Sequence, residues 1–168
     1  MKSSYESRAR KFAHVLVTLF TGCVSLDDFV FAIVEYNATH SRPLVYDHGV
    51  SRIVIIRSDY VIKFNIRPSG WWEDGRAGSI SSEARVYEQA VADGMEHLLA
   101  KITVEKEDNR IFAIMPRIRN VGNEDREWSD YCTDEEGEWL EDHICDLHCK
   151  NVGYRNDKVC VIDYAWEA

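Results

Sequence analysis

The chain has 168 residues, 45% of them apolar, and a formal net charge of −9. That length suits one compact domain, or a domain with an accessory element, and the acidity disfavours non-specific nucleic-acid binding while suiting basic partners or metal ions. Five cysteines without disulfide-framework spacing argue against an oxidising compartment, and the apolar run Phe12–Phe20, interrupted by His14 and Thr18, is too short to span a bilayer.

No cleavage-site pattern follows that run, so a soluble cytoplasmic protein is expected. Residues 4–20 carry Tyr5, Ala9, Phe12, Val15, Leu16 and Leu19 at helical spacing. Ser25-Leu26-Asp27-Asp28 has a cap residue followed by first-turn acids, and opens a second helix with Phe29, Val30, Ile33 and Val34. The two helices form a hairpin joined near Gly22 and ending before Ser41-Arg42-Pro43. Core packing is the favoured use of the apolar stripe, with a partner-binding face as the alternative.

From Leu44 the pattern changes to strands: Leu44–Tyr46, Arg52–Arg57 and Tyr60–Phe64, separated by the turns Asp47-His48-Gly49 and Ser58-Asp59. Residues 67–81 are rich in Gly, Ser, Pro and Trp and read as a loop. Ser81-Ser82-Glu83 then starts a helix that stops around Gly94. Leu98–Val104 and Arg110–Met115 read as two further strands joined by Glu107-Asp108-Asn109. After a polar stretch, Glu135–His143 is helical, and Asn151–Tyr154 with Val159–Ile162 make a small hairpin.

The most specific chemistry lies at the end. Asp146-Leu147-His148-Cys149-Lys150-Asn151 is a loop with one carboxylate and one amide, and Val161-Ile162-Asp163-Tyr164 ends an apolar strand in a second carboxylate. Phosphoryl transfer needs such groups, one aspartate to align a hydroxyl and an Asn/Asp pair to hold Mg²⁺ on the phosphates. Taken alone, Asp146 also suits a helix-capping role. An acid at the mouth of a buried strand, such as Asp163, needs a partner or a metal. Upstream, Lys63 in Val61-Ile62-Lys63 would reach phosphates and need an acidic partner, Glu83 in preference to Glu88. His148 braces the loop. A zinc site using Cys145, His148 and Cys149 is the competing reading of that stretch.

These residues resemble the protein-kinase-like superfamily in its atypical branch. The D-x-H-x-x-N loop is similar to that of aminoglycoside phosphotransferases and of the early serine/threonine kinases of short-tailed coliphages. The resemblance covers roughly residues 44–168. It implies an α+β protein-kinase-like fold with an N-terminal helical hairpin at 1–41, a five-stranded antiparallel N-lobe with one helix at 42–119, and a strongly truncated C-lobe at 120–168. It also implies ATP and Mg²⁺. Lys63 and Glu83 would anchor phosphates, Asn151 and Asp163 would bind Mg²⁺, and Asp146 would be the catalytic acid/base. Gly49 and Ser51 would lie in the phosphate loop, and Met115 to Arg119, including Arg117, would face the adenine.

Three departures stand out. Gly49 stands without a G-x-G-x-x-G run, Ile144-Cys145 replaces His-Arg before Asp146, and Ala165 replaces the glycine after Asp163-Tyr164. The expected activity is a minimal serine/threonine kinase acting on itself or a host protein. The alternatives are a kinase-fold inhibitor of a host protein and, less favoured, a small-molecule phosphotransferase. Expected partners are a nucleotide and a host protein, with homodimerisation left open and no nucleic acid or membrane.

Overall fold

Capping chemistry sets the first helices of the computed structural model, which describes residues 4–66, 79–119, 127–148 and 150–164. Helix α1 (Ser4–Leu19) turns Ala9, Ala13, Leu16 and Val17 inward. Val15, one step off that stripe, is 47% exposed, so it is not one of the core positions its apolarity suggested. Helix α2 (Leu26–Thr39) starts in a capping box: Ser25 Oγ accepts from the Asp28 N–H, and the Asp28 carboxylate accepts from the Ser25 N–H. Its buried residues are Phe29 and Ile33, while Val34 faces outward.

Five strands follow in antiparallel order β1-β2-β3-β5-β4: β1 (Val45–His48), β2 (Arg52–Ile56), β3 (Tyr60–Asn65), β4 (Thr103–Glu107) and β5 (Arg110–Pro116). The first turn lies two residues later than its composition suggested. β1 runs through Asp47 and His48, and the reversal occupies residues 49–51. The β4–β5 turn uses Asp108 (φ 48°) and Asn109 (φ 61°), the left-handed pair that a two-residue hairpin requires. β1 is an edge strand, and Asn37 of α2 closes its start. Its amide donates to the Leu44 carbonyl at 3.1 Å and accepts from the Leu44 N–H at 2.6 Å.

Because strand side chains alternate, the sheet has two unlike faces. Ile53, Ile55, Ile62, Phe64, Phe112 and Ile114 form one core with α1 and α2. Phe20 sits 4.8 Å from Phe29 and 5.2 Å from Phe64 between ring centroids, a favourable range for aromatic pairs. Arg110 pins the helical hairpin from β5, donating to the carbonyls of Phe20 (3.0 Å) and Cys23 (2.8 Å) that the end of α1 leaves without helical partners. Core packing is therefore what the inner stripe of both helices does.

Helix α3 (Ile80–Asp93) begins two residues earlier than its sequence suggested. The N-cap is Ser79, whose hydroxyl accepts from the Ser82 N–H, rather than Ser81, and Gly94 closes the helix at φ 74°. The expected strand Leu98–Val104 does not form as one piece. Residues Glu96–Leu98 make a 3₁₀ turn, Leu99 bridges Val161 in parallel, and β4 starts only at Thr103. Helix α4 (Asp134–His143) is capped by Thr133 with Glu136 in a second capping box. A hairpin of β6 (Val152–Arg155) and β7 (Lys158–Val161) follows, turning through Asn156 and Asp157 at φ 54° and 59°.

The chain gathers into two compact units, Met1–Asp74 with Thr103–Arg117, and Gly75–Ile102 with Ile118–Ala168. This cut differs from the three-part division at 41 and 119. The helical hairpin shares its unit with the sheet, and α3 goes with the C-terminal half. The architecture is α+β, with four α-helices, a five-stranded antiparallel sheet and a two-stranded sheet among the described residues. No helix there is long and apolar enough to cross a membrane. Most of the expected loop at 67–81, the polar stretch at 120–126, Cys149 and Ala165 lie outside the described residues.

Candidate active site

In the second unit the chain draws together the C-terminal polar residues. Asn151 Nδ2 donates to the Asp146 carbonyl at 2.9 Å and to Asp146 Oδ2 at 3.2 Å. Those bonds aim the amide nitrogen at Asp146, so Oδ1 points to the other side of the amide. The Asn151 N–H donates to the His148 carbonyl at 2.9 Å, and its own carbonyl accepts from the Ile162 N–H at 2.8 Å. Asp163 is thus one residue beyond a main-chain bond to Asn151. Asp146 is exposed, whereas Asn151 and Asp163 are half-buried.

His148 closes the same loop. Its Nδ1 accepts from the Lys150 N–H at 3.1 Å, which puts the neutral ring's proton on Nε2, 3.4 Å from Asp146 Oδ1. The histidine bonds within the loop it was expected to brace and lies close to the Asp146 carboxylate.

Tyr164, fully buried, fixes the far end. Its hydroxyl donates to the Ala100 carbonyl at 2.6 Å, and the Ala100 N–H donates to the Val161 carbonyl at 2.9 Å. Burial, reinforced by the carboxylate of Glu83, pushes the Tyr164 hydroxyl well above its ordinary pKa. It stays a neutral donor. The segment after α3 and the strand leading to Asp163 are therefore tied by a side chain and by main chain.

Glu83 lies in the first turn of α3, completely buried, where its charge complements the helix N-terminus. Lys63 belongs to the first unit, in the central strand β3, opposite Val54 and Ala113. It is only 4% exposed and lies on the sheet face away from α1 and α2, together with Arg52 and Asn65. A strand-edge lysine would be solvated, so its burial in the middle strand sets it apart.

Main-chain hydrogen bonds engage part of the turn and of the segment where phosphate and adenine contacts were expected. The Gly49 N–H donates to the Arg52 carbonyl at 3.0 Å, so it closes the hairpin and is not offered to a phosphate. A Cβ at Gly49 would meet nothing within 4 Å. The Ser51 carbonyl accepts from the Ile66 N–H at 2.8 Å. The Arg117 N–H donates to the Asp59 carbonyl at 3.0 Å, and its guanidinium to the Arg57 carbonyl at 3.1 Å. By the alternation of an antiparallel ladder, Met115 likewise turns its main-chain groups to Val61. Pro116 then aims its carbonyl toward the side where β4 has already ended. Nearby, a groove of about 390 Å³ is lined by Pro43, Val45, Ile56, Arg57, Ser58 and Arg117.

Among the described residues, which leave out Cys149, no group of three or more His, Cys, Asp or Glu side chains converges. Two hard oxygen donors, Asn151 Oδ1 and the Asp163 carboxylate, match the way Mg²⁺ is held, by one or two protein oxygens with phosphates and water supplying the rest.

Two residues outside the expected set matter. Tyr164 was noted only as an aromatic, and its bond to Ala100 has no local signal. Gly153 did have one, since a glycine inside a strand marks close backbone approach. A Cβ there would come 2.6 Å from Ile118 Cγ2 and 3.1 Å from the Arg119 carbonyl, which also accepts from the Tyr154 N–H at 3.2 Å. Comparison with protein-family models, with curated proteins and with solved structures finds no match.

Proposed function

We propose that this chain is a minimal protein-kinase-like phosphotransferase that binds ATP with Mg²⁺ and transfers the γ-phosphoryl group to a serine or threonine hydroxyl, on itself or on a host protein. The single observation that carries the reading is the bonded loop Asp146–His148–Asn151 joined through Ile162 to Asp163. The buried lysine in the middle strand and the buried glutamate in the first turn of α3 support it, as does a helix inserted after the third of five strands.

Phosphoryl transfer depends mainly on positioning and charge neutralisation. Mg²⁺, when bound, supplies neutralisation of the phosphate oxygens. Asn151 and Asp163 would hold it, and the Nδ2–Asp146 bonds keep the amide oxygen turned to that task. Asp146 would orient the acceptor hydroxyl and receive its proton, with the His148 Nε2–H keeping one carboxylate oxygen occupied. Lys63, paired with Glu83, would hold the phosphates. The Pro116 carbonyl would accept from the exocyclic amine of adenine.

Radiolabelled ATP with Mg²⁺, given to wild type and to Asp163→Ala, tests the activity. Label on protein with wild type and none with the variant is expected. Absence of label on protein or hydroxyl acceptor with wild type sinks it. A second reading, a kinase-fold module that binds and disables a host protein, is favoured by Gly49 and Arg117, whose N–H groups are already occupied. It predicts a complex that survives Lys63→Ala combined with Asp146→Ala.

A further inference from the structure

Helix α2 is amphipathic twice over. Phe29 and Ile33 enter the core, yet the opposite side presents Phe31 (64% exposed) and Val34 (58% exposed) rather than a polar surface. With Asp27 before them and the exposed Ala38 after, these residues recur at alternating spacings of four and three, the seam that lets one helix pack along another. Isolated exposed apolar residues are ordinary, but an aromatic and a valine in register on one helix form a stripe.

Charge identifies what fits it. The helix carries Asp27, Asp28 and Glu35 and contains no Lys or Arg. Of the basic side chains of α1, Arg8 pairs with Asp59, Arg10 with Glu105 and His14 with Glu107. Among the described residues neither Asp27 nor Glu35 forms an ion pair, so the seam is edged by uncompensated negative charge. A second copy fits badly. Parallel pairing sets Asp27 against itself across the seam, and antiparallel pairing centred on Phe31 and Val34 brings Asp28 and Glu35 to the same flank.

From this we infer that the outer face of α2 is a docking surface for a basic amphipathic helix of another protein. Apolar residues of that helix would pack on Phe31 and Val34, and its Lys or Arg side chains would pair with Asp27 and Glu35. Such helix-on-helix recognition reads anchors at this spacing, and the charges choose between partners more than they add affinity. The surface is independent of the proposed nucleotide site, so it holds for an active kinase and for a binding module alike.

The test uses the full chain and a fluorescent synthetic helix of three heptads with leucine at the seam and lysine at the flanks, followed by anisotropy. The expected result is saturable binding that weakens with salt and is lost by about tenfold or more in Phe31→Ser/Val34→Ser. Both side chains are exposed, so that variant should melt like wild type. The same peptide with glutamate at the flanks should not bind, and Glu138→Gln/Glu141→Gln on the acidic α4 should leave binding unchanged. Equal binding of the two peptides, or binding that follows α4 rather than α2, overturns the proposal. So does a concentration-dependent dimer in sedimentation that Phe31→Ser abolishes, because the face would then belong to a second copy.

Discussion

The two units of this chain both bury apolar side chains, but they differ in what fixes their loops. The first is a sheet whose inner face centres on an apolar core, with four phenylalanines in ring contact and two helices laid over them. The second has shorter helices and a two-stranded hairpin, and particular bonds tie its loops together: Tyr164 to Ala100, Ala100 to Val161, Tyr154 to Arg119, Ile162 to Asn151. Apolar burial is non-directional and tolerates many sequences, whereas a few specified hydrogen bonds hold polar side chains at defined positions. The candidate catalytic loop lies in the second kind of structure, where position matters more than bulk stability.

Substitutions in each unit test that difference. Phe64→Ala removes the ring that contacts both Phe20 and Phe112, and should destabilise the first unit by about 3–5 kcal/mol in denaturant unfolding. A loss below about 1 kcal/mol would mean that the aromatic core is not what holds that unit. Gly153→Ala forces a methyl against Ile118 and a main-chain carbonyl. It should destabilise the second unit by about 1–3 kcal/mol and speed amide exchange along β6 and β7, leaving the five-stranded sheet unchanged. Tyr164→Phe leaves the Ala100 carbonyl without its buried donor and should lower stability by about 1–2 kcal/mol, with exchange at Ala100 and Ile162 rising first.

The smallest effect is a pH dependence in the second unit. Bonds from the Thr133 N–H and from His97 hold the Glu136 carboxyl below its ordinary pKa. A lowered folded-state pKa contributes stability that is present above the ordinary glutamate range and disappears as pH falls through the lowered value. Glu136→Gln should flatten the acid limb of the stability profile in that interval, with a small loss of stability at neutral pH that vanishes at low pH. A profile identical to wild type would show that the cap and the histidine contact contribute nothing.

Much of this was legible locally. Ser25 with Asp28 announces α2, the periodicity of Glu135–His143 announces α4, and Asp108-Asn109 closes a hairpin, because these signals are decided by groups a few residues apart. Legibility failed where the competing partner was distant. Leu98–Val104 has the composition of a strand, yet Leu99 and Ala100 find their partners at Val161 and Tyr164 and so leave β4 short.

Periodicity, capping residues and turn chemistry thus determined by themselves that the chain would build helices, then a meander, then a helix and a small hairpin carrying Asp146, Asn151 and Asp163. Only the tertiary structure decided which side of α2 enters the core and which stays open. It also decided that Arg110 reaches back to the carbonyls at the end of α1, and that Asn151 turns its nitrogen toward Asp146. The reason is physical: local propensity acts through neighbours in the chain, whereas the direction of a side chain is set by partners that folding brings from far along it.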